Sequence, residues 1–214
     1  MKVPYLSQVP SSAEDVPCLL DQQCLEFTAI AHANWQKEFP YRPEVCVRIA
    51  HCGDRILLHY RVKEERIRAH FGADNGDVWT DSCVEFFCIP AGDGVYYNLE
   101  CNCIGTILLG AGPEKAGRVR VGQEVLDTIS RWSSLGRDAF EERPSQGPWE
   151  VALIVPVKAF FQHRLTSLRG VRIRANFYKC GDALTQPHFL SWAPIQLPKP
   201  NFHCPDFFGE LEFE

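Results

Sequence analysis

Val45, Val47 and Ile49 alternate with Cys46, Arg48 and Ala50. Beyond the turn residues His51, Cys52, Gly53 and Asp54 the alternation resumes, with Ile56, Leu58, Tyr60 and Val62 against Leu57, His59 and Arg61. A period of two returns every second side chain to the same face of a strand, so this segment predicts a β-hairpin with one buried face. Further strands are predicted over residues 65–71, 82–90, 95–103, 105–109, 150–156, 171–180, 188–192 and 208–213, separated by turns containing Gly, Pro and Asp rather than by regular helices. Short strands without βαβ alternation imply an all-β fold, an antiparallel β-sandwich of jelly-roll type with short helical segments. Residues 1–40 have weak periodicity and read as a lead-in that packs on the body, with a short helix expected around residues 27–34. Residues 110–148 are the least regular, and residues 123–132 fit a strand or a short helix. No internal repeat or linker divides the chain, so residues 1–214 are taken as one domain.

Composition supports this picture. Fourteen Phe, six Tyr and five Trp stand against a single Met and fifteen Pro, which suits strands and turns better than a helical bundle. A formal charge of −5 provides no basic field for phosphate backbones or anionic lipid, which argues against nucleic acid and membrane partners. No apolar run reaches the length of a membrane span, and the first residues have no continuous apolar leader, so a cytoplasmic location is expected. Several of the ten Cys fall within apolar strand patterns, where a reduced thiol packs as a small hydrophobe.

Three strands pair an apolar parity with one rich in polar and aromatic groups. Over residues 79–88, Trp79, Asp81, Cys83, Glu85 and Phe87 oppose Ser82, Val84, Phe86 and Cys88. Over residues 96–103, Tyr96, Asn98, Glu100 and Asn102 oppose Tyr97, Leu99, Cys101 and Cys103. Over residues 171–180, Arg172, Arg174, Asn176, Tyr178 and Cys180 oppose Val171, Ile173, Ala175 and Phe177. Such alternation can mark a solvated sheet face. It also fits a sugar, whose C–H face stacks on an aromatic ring while its hydroxyls donate to carboxylates and accept from Asn, Arg or Lys. Trp35, Trp132 and Trp149 read as packing residues, Trp149 sharing parity with Val151, Leu153 and Val155.

The runs Trp79-Thr80-Asp81-Ser82-Cys83-Val84-Glu85-Phe86-Phe87, Tyr96-Tyr97-Asn98-Leu99-Glu100-Cys101-Asn102, Arg174-Ala175-Asn176-Phe177-Tyr178-Lys179-Cys180, Ser191-Trp192 and Phe202-His203-Cys204-Pro205-Asp206-Phe207-Phe208-Gly209 together resemble the family 9-like carbohydrate-binding proteins, relatives of the family 9 carbohydrate-binding modules. The resemblance spans roughly residues 40–214. It implies a sandwich in which two aromatic rings clasp a saccharide ligand without catalysis. Trp79 and Glu85 match the tryptophan and the glutamate six residues later that the modules use. Trp192 is then the candidate second ring, with Tyr178 behind it, and Asn98, Glu100, Asn102, Arg174, Asn176 and Lys179 are candidate hydroxyl-binding groups. No cofactor is expected. Those modules tend to hold structural calcium, and the loop Asp74-Asn75-Gly76-Asp77 offers clustered oxygen ligands, although a plain turn explains it as well.

Two other readings stay open. Asp81, Glu85 and Glu100 could supply a carboxylate pair for glycoside hydrolysis, though Arg174 and Lys179 nearby would favour the ionised form of both. The same aromatic and polar face could instead meet a protein partner. The seven His show no metal-binding spacing, no metal site is read from them, and no nucleophile-elbow, P-loop or dinucleotide motif is present.

Overall fold

A computed structural model describes all 214 residues. Fifteen strands follow one another: β1 (Lys2–Val3), β2 (Thr28–Ala29), β3 (Glu44–His51), β4 (Arg55–Lys63), β5 (Arg66–Ala69), β6 (Cys83–Ile89), β7 (Tyr96–Asn102), β8 (Ile107–Gly112), β9 (Val119–Arg120), β10 (Ser130–Ser133), β11 (Phe140–Pro144), β12 (Trp149–Pro156), β13 (Arg172–Cys180), β14 (Phe189–Ser191) and β15 (Gly209–Phe213). The two short helices are α1 (Val16–Gln22) and α2 (Gln123–Leu126). No helix is long and apolar enough to cross a membrane.

The alternating hairpin forms β3 and β4, paired from Glu44 opposite Lys63 to His51 opposite Ile56. Its turn places Gly53 at φ +86°, a left-handed conformation that costs a residue without Cβ least. One sheet runs β10-β12-β4-β3-β2. The other runs β1-β15-β13-β6-β7-β8-β9, with β14 also pairing β13, and β11 and β5 form a separate ribbon. The inner parities of the two large sheets, among them Val47, Leu58, Tyr60, Leu153, Val84, Phe86, Leu99 and Phe177, meet in one apolar core, which makes the fold a β-sandwich. All pairings among these strands are antiparallel except that of β1 with β15.

Much of each outer face is covered. Leu6, Ala13, Val16, Leu19 and Leu20 of the lead-in cover Ala50, Leu57, Ala152 and Ile154 on one sheet. On the other sheet every residue of β6, β7 and β8 is buried, because a strap formed by residues 193–208 crosses it. Ile195, Phe202, Cys204 and Phe208 of the strap pack with Trp35, Phe87, Tyr96 and Tyr178.

Three local expectations are corrected. The lead-in helix lies at Val16–Gln22 rather than around residues 27–34, where only the short β2 forms. Ser12 N donates to the Asp15 carboxylate at 3.0 Å just upstream, and Val16, Leu19 and Leu20 share the i, i+3, i+4 face that the sheet buries. Residues 123–132 are not one element but α2 followed by β10, and β11 adds a strand in a region with no clear alternation. In this ribbon the register slips between Phe140 and Arg143, and a slip shifts side chains to the opposite face and erases the period.

Leu20 has no exposed surface. The substitution Leu20→Ala is expected to lower stability by about 2–5 kcal/mol through the cavity it leaves. Chemical denaturation measures this, and a change under about 0.5 kcal/mol, the range of an ordinary surface substitution, would show that the lead-in is not part of the folded unit.

Candidate ligand-binding cleft

The register of β6, β7 and β13 builds the floor of a cleft of about 480 Å³. Glu85 stands directly opposite Glu100 on β7 and Tyr178 on β13. Asn98 lies two residues from Glu100 on the same face, opposite Gly110 of β8. A Cβ at Gly110 would come within 2.8 Å of Asn98 Oδ1, so any larger residue would displace that amide from the floor. Trp79, on the turn Val78–Thr80, lines the cleft together with Phe189, Phe202 and His203. Arg118, Lys115 and Arg120 also border the cleft.

The two carboxylates are buried and half satisfied. Glu85 Oε1 accepts from the Cys180 thiol at 3.0 Å, and Glu100 Oε1 accepts from Asn98 Nδ2 at 2.9 Å. Each Oε2 lacks a hydrogen-bond donor within the protein. An unpartnered buried acceptor costs about 1–3 kcal/mol, which a ligand donor would offset. Burial lifts the Glu100 carboxyl to about 7 against the pull of the Asn98 amide and of Arg118 and Arg120. Burial, followed by the charge of Glu100, also raises Glu85. Burial holds His203 down at about 3, aided by Arg118 and Lys115, so its ring is neutral. His203 Nδ1 lies 3.0 Å from the Tyr96 hydroxyl.

Arg118 is an anchor rather than a free cation. It donates to Asn98 Oδ1 at 2.8 Å and to the carbonyls of Tyr96, Gly110, Gly112 and Glu114, with its guanidinium 3.9 Å from the Tyr96 ring centroid. Through Asn98 this order reaches Glu100. The turn that carries Trp79 is anchored just downstream by Asp81, whose buried carboxylate accepts from Arg68 Nη1, the amides of His70 and Phe71, and Asn102 Nδ2, all at 2.9–3.0 Å.

A family model described as carbohydrate-binding family 9 matches residues 14–213. The chain belongs to carbohydrate-binding family 9. Within the family's fold, a protein from Bacteroides uniformis proposed to bind carbohydrate is 51% identical, with a TM-score of 0.96 over 100% of this chain and 98% of that one. A family 9 module from Caldicellulosiruptor kristjanssonii, solved in complex with glucose, is 10% identical, with a TM-score of 0.62 over 100% of this chain and 96% of the module. The same fold match, at 94% of its chain, holds for a family 9 module from that organism in complex with cellotriose. No curated protein is detectably similar in sequence.

Of the ten residues singled out from the sequence of this family 9 chain, the cleft brings together Trp79, Glu85, Asn98 and Glu100. The others lie outside its lining, for physical reasons. Asn102 is consumed by the loop that carries Trp79: besides Asp81 it bonds the Phe71 carbonyl and the amides of Ile104 and Thr106. Three residues of β13 hold the strap. Arg174 Nη2 donates to the carbonyls of Pro205 and Asp206, Asn176 bonds both the amide and the carbonyl of Ala193, and the Tyr178 hydroxyl donates to the Phe202 carbonyl. Tyr178 and Phe202 also stack, with ring centroids 4.1 Å apart at 5°.

Lys179 points the other way, as its odd parity with Phe177 and Ala175 requires. It is buried in an ion pair with Glu64 at 2.9 Å, beside His188 Nε2 at 2.7 Å. Trp192 packs edge-on against Phe177 and lies over Gly209, where a Cβ would meet its ring at 2.7 Å. The rings that face Trp79's cleft are instead Phe189 and Phe202. Phe202-His203 stands in the quoted motif, but its role depends on the strap folding back, which no local period encodes. Arg118 comes from the irregular segment and leaves no signal at all.

The calcium expectation meets an occupied donor set. Asp74 Oδ1 pairs with Arg131 Nη1 at 2.6 Å and accepts from the Ile107 amide, and Asp77 faces Arg120 at 3.7 Å. A loop whose carboxylates are already neutralised by two guanidiniums does not fit a calcium cradle. All ten cysteines are free thiols.

Because the folded carboxyl of Glu100 titrates at about 7 instead of 4.5, the native state holds a proton that the unfolded chain has released between those values. Stability carried by the protonated form is therefore lost as pH rises from about 4.5 to about 7. The Glu100→Gln variant lacks this titration, so its denaturation midpoint should gain on the parent chain across that window. A constant offset between the two at every pH would contradict the burial of a titrating Glu100.

Proposed function

We propose that the cleft binds a saccharide without transforming it. The observation that carries this reading is the conjunction of Trp79, Phe189 and Phe202 with two buried carboxylates that each have an oxygen free to accept. A pyranose meets both demands, stacking its C–H face on indole while its hydroxyls donate to Glu85 Oε2 and Glu100 Oε2. Membership of carbohydrate-binding family 9 and the saccharide complexes of the Caldicellulosiruptor modules support the same class of ligand.

Hydrolysis suits the geometry less well. Glycosidases set their two carboxyls to flank the scissile bond, about 5–9.5 Å apart. Here Asp81 is fully engaged in positioning the Trp79 loop, and Glu85 and Glu100 stand side by side on a single floor. Both would approach a bound ring from the same side.

Titration of the purified chain with mono- and oligosaccharides, read by calorimetry, tests the proposal. Saturable binding is expected, weakened at least about tenfold, or 1.4 kcal/mol, in folded Trp79→Ala and Phe202→Ala variants. Trp192→Ala is expected to lower stability and to leave the affinity unchanged. A flat response across all saccharides, or a loss confined to Trp192→Ala, would contradict the assignment.

A further inference from the structure

Five of the buried cysteines lie on, or immediately after, the three central strands, and they divide by face. Cys88, Cys101 and Cys103 belong to the apolar core between the sheets. Cys83 and Cys180 belong to the opposite face, where Cys83 shares the parity of Glu85 and Cys180 is its direct cross-strand partner. The register therefore gathers Cys83 Sγ, Cys180 Sγ and a Glu85 carboxylate oxygen within 4.8 Å of one another, all buried. Cys180 and Glu85 also line the cleft. Apolar filling accounts for the three inward thiols. It does not account for two thiols flanking a carboxylate whose second oxygen has no protein donor.

We propose that Cys83, Cys180 and Glu85 form a binding site for a thiophilic divalent cation of the zinc and cadmium class, reached from the cleft. Two sulfur ligands and one carboxylate match such ions, whereas calcium and magnesium take all-oxygen shells. Ligand distances of about 2.3 Å for sulfur and 2.0–2.2 Å for oxygen require a small rearrangement, in which the Cys180 Sγ–Glu85 Oε1 pair opens from 3.0 Å to admit the ion. Three protein ligands leave a further coordination position. Binding replaces two S–H bonds with two metal–sulfur bonds and takes Glu85 as the carboxylate, so the thiol protons and the carboxyl proton that Glu85 holds all pass to solvent, with no change of oxidation state. The ligands bind in their deprotonated forms, so affinity increases with pH. The site uses Glu85, so metal and saccharide are expected to compete, but metal binding itself does not depend on what the cleft otherwise holds.

The test is a titration of the reduced full chain with Cd²⁺ alone, following thiolate-to-metal charge transfer in the ultraviolet. Cys18, Cys24, Cys46 and Cys52 are replaced by Ser beforehand, because these four are not buried. The proposal expects absorbance that saturates at one Cd²⁺ per chain, is lost in the added C83S/C180S pair, and shifts to at least tenfold weaker affinity in E85Q. Where the double variant does not fold, C83S and C180S singly must each lower the plateau. Absence of saturable absorbance in the parent, an unchanged plateau without these two thiols, or unchanged affinity in E85Q would overturn it. Because saccharide titration is a separate readout, failure here leaves the sugar assignment standing, and the reverse also holds.

Discussion

Glu85 sits opposite Glu100 on one neighbour strand and opposite Tyr178 on the other, and this single register constrains most of what surrounds it. Two carboxylates side by side on a sheet are tolerable in water, where the dielectric screens them. Here they are covered, so their mutual repulsion and desolvation must be met locally. The structure meets them with Asn98 on Glu100, a thiol on Glu85, and a raised affinity for protons on both. What is left over is one unpartnered oxygen on each carboxyl, in a cleft that an indole also lines. A cleft that needs donors and offers an aromatic wall is the outcome of that constraint.

The outward parity of the sheet is divided between two tasks. On β6 and β7 it opens into the cleft, through Glu85, Asn98 and Glu100. On β13 it grips the strap, through Arg174, Asn176 and Tyr178, at three points from Ala193 to Asp206. The strap in turn brings Phe202 and His203 to the cleft wall. Residues outside the cleft thus decide where Phe202 stands, which is why β13 is as polar on its outer face as the strands that line the cleft.

This division explains how far the sequence could be read. The strands of the sandwich were legible because a period of two survives wherever one parity is apolar, as from Val45 to Val62. The residues that line the floor were legible for the same reason, whereas Lys179, expected among the hydroxyl-binding groups, has the inward parity and lies in an ion pair with Glu64. Pattern alone could not separate Asn98 from Asn102 or Arg174. Each is a polar residue at an outward position, and only the long-range partners, the strap for Arg174 and the Asp81 loop for Asn102, distinguish them. Arg118 lies in a segment with no period, and its contacts are mostly to backbone carbonyls, which leave no mark in the sequence.

The measurement that bears most directly on this account is a crystal structure of the chain with the saccharide that gives saturable titration. The account predicts a sugar ring stacked on Trp79, with hydroxyls within hydrogen-bond distance of Glu85 Oε2 and Glu100 Oε2 and Phe202 on the facing side. A sugar seated instead in the separate groove beside β2, against Arg42, Arg61 and Leu190, with the carboxylates untouched, would contradict it.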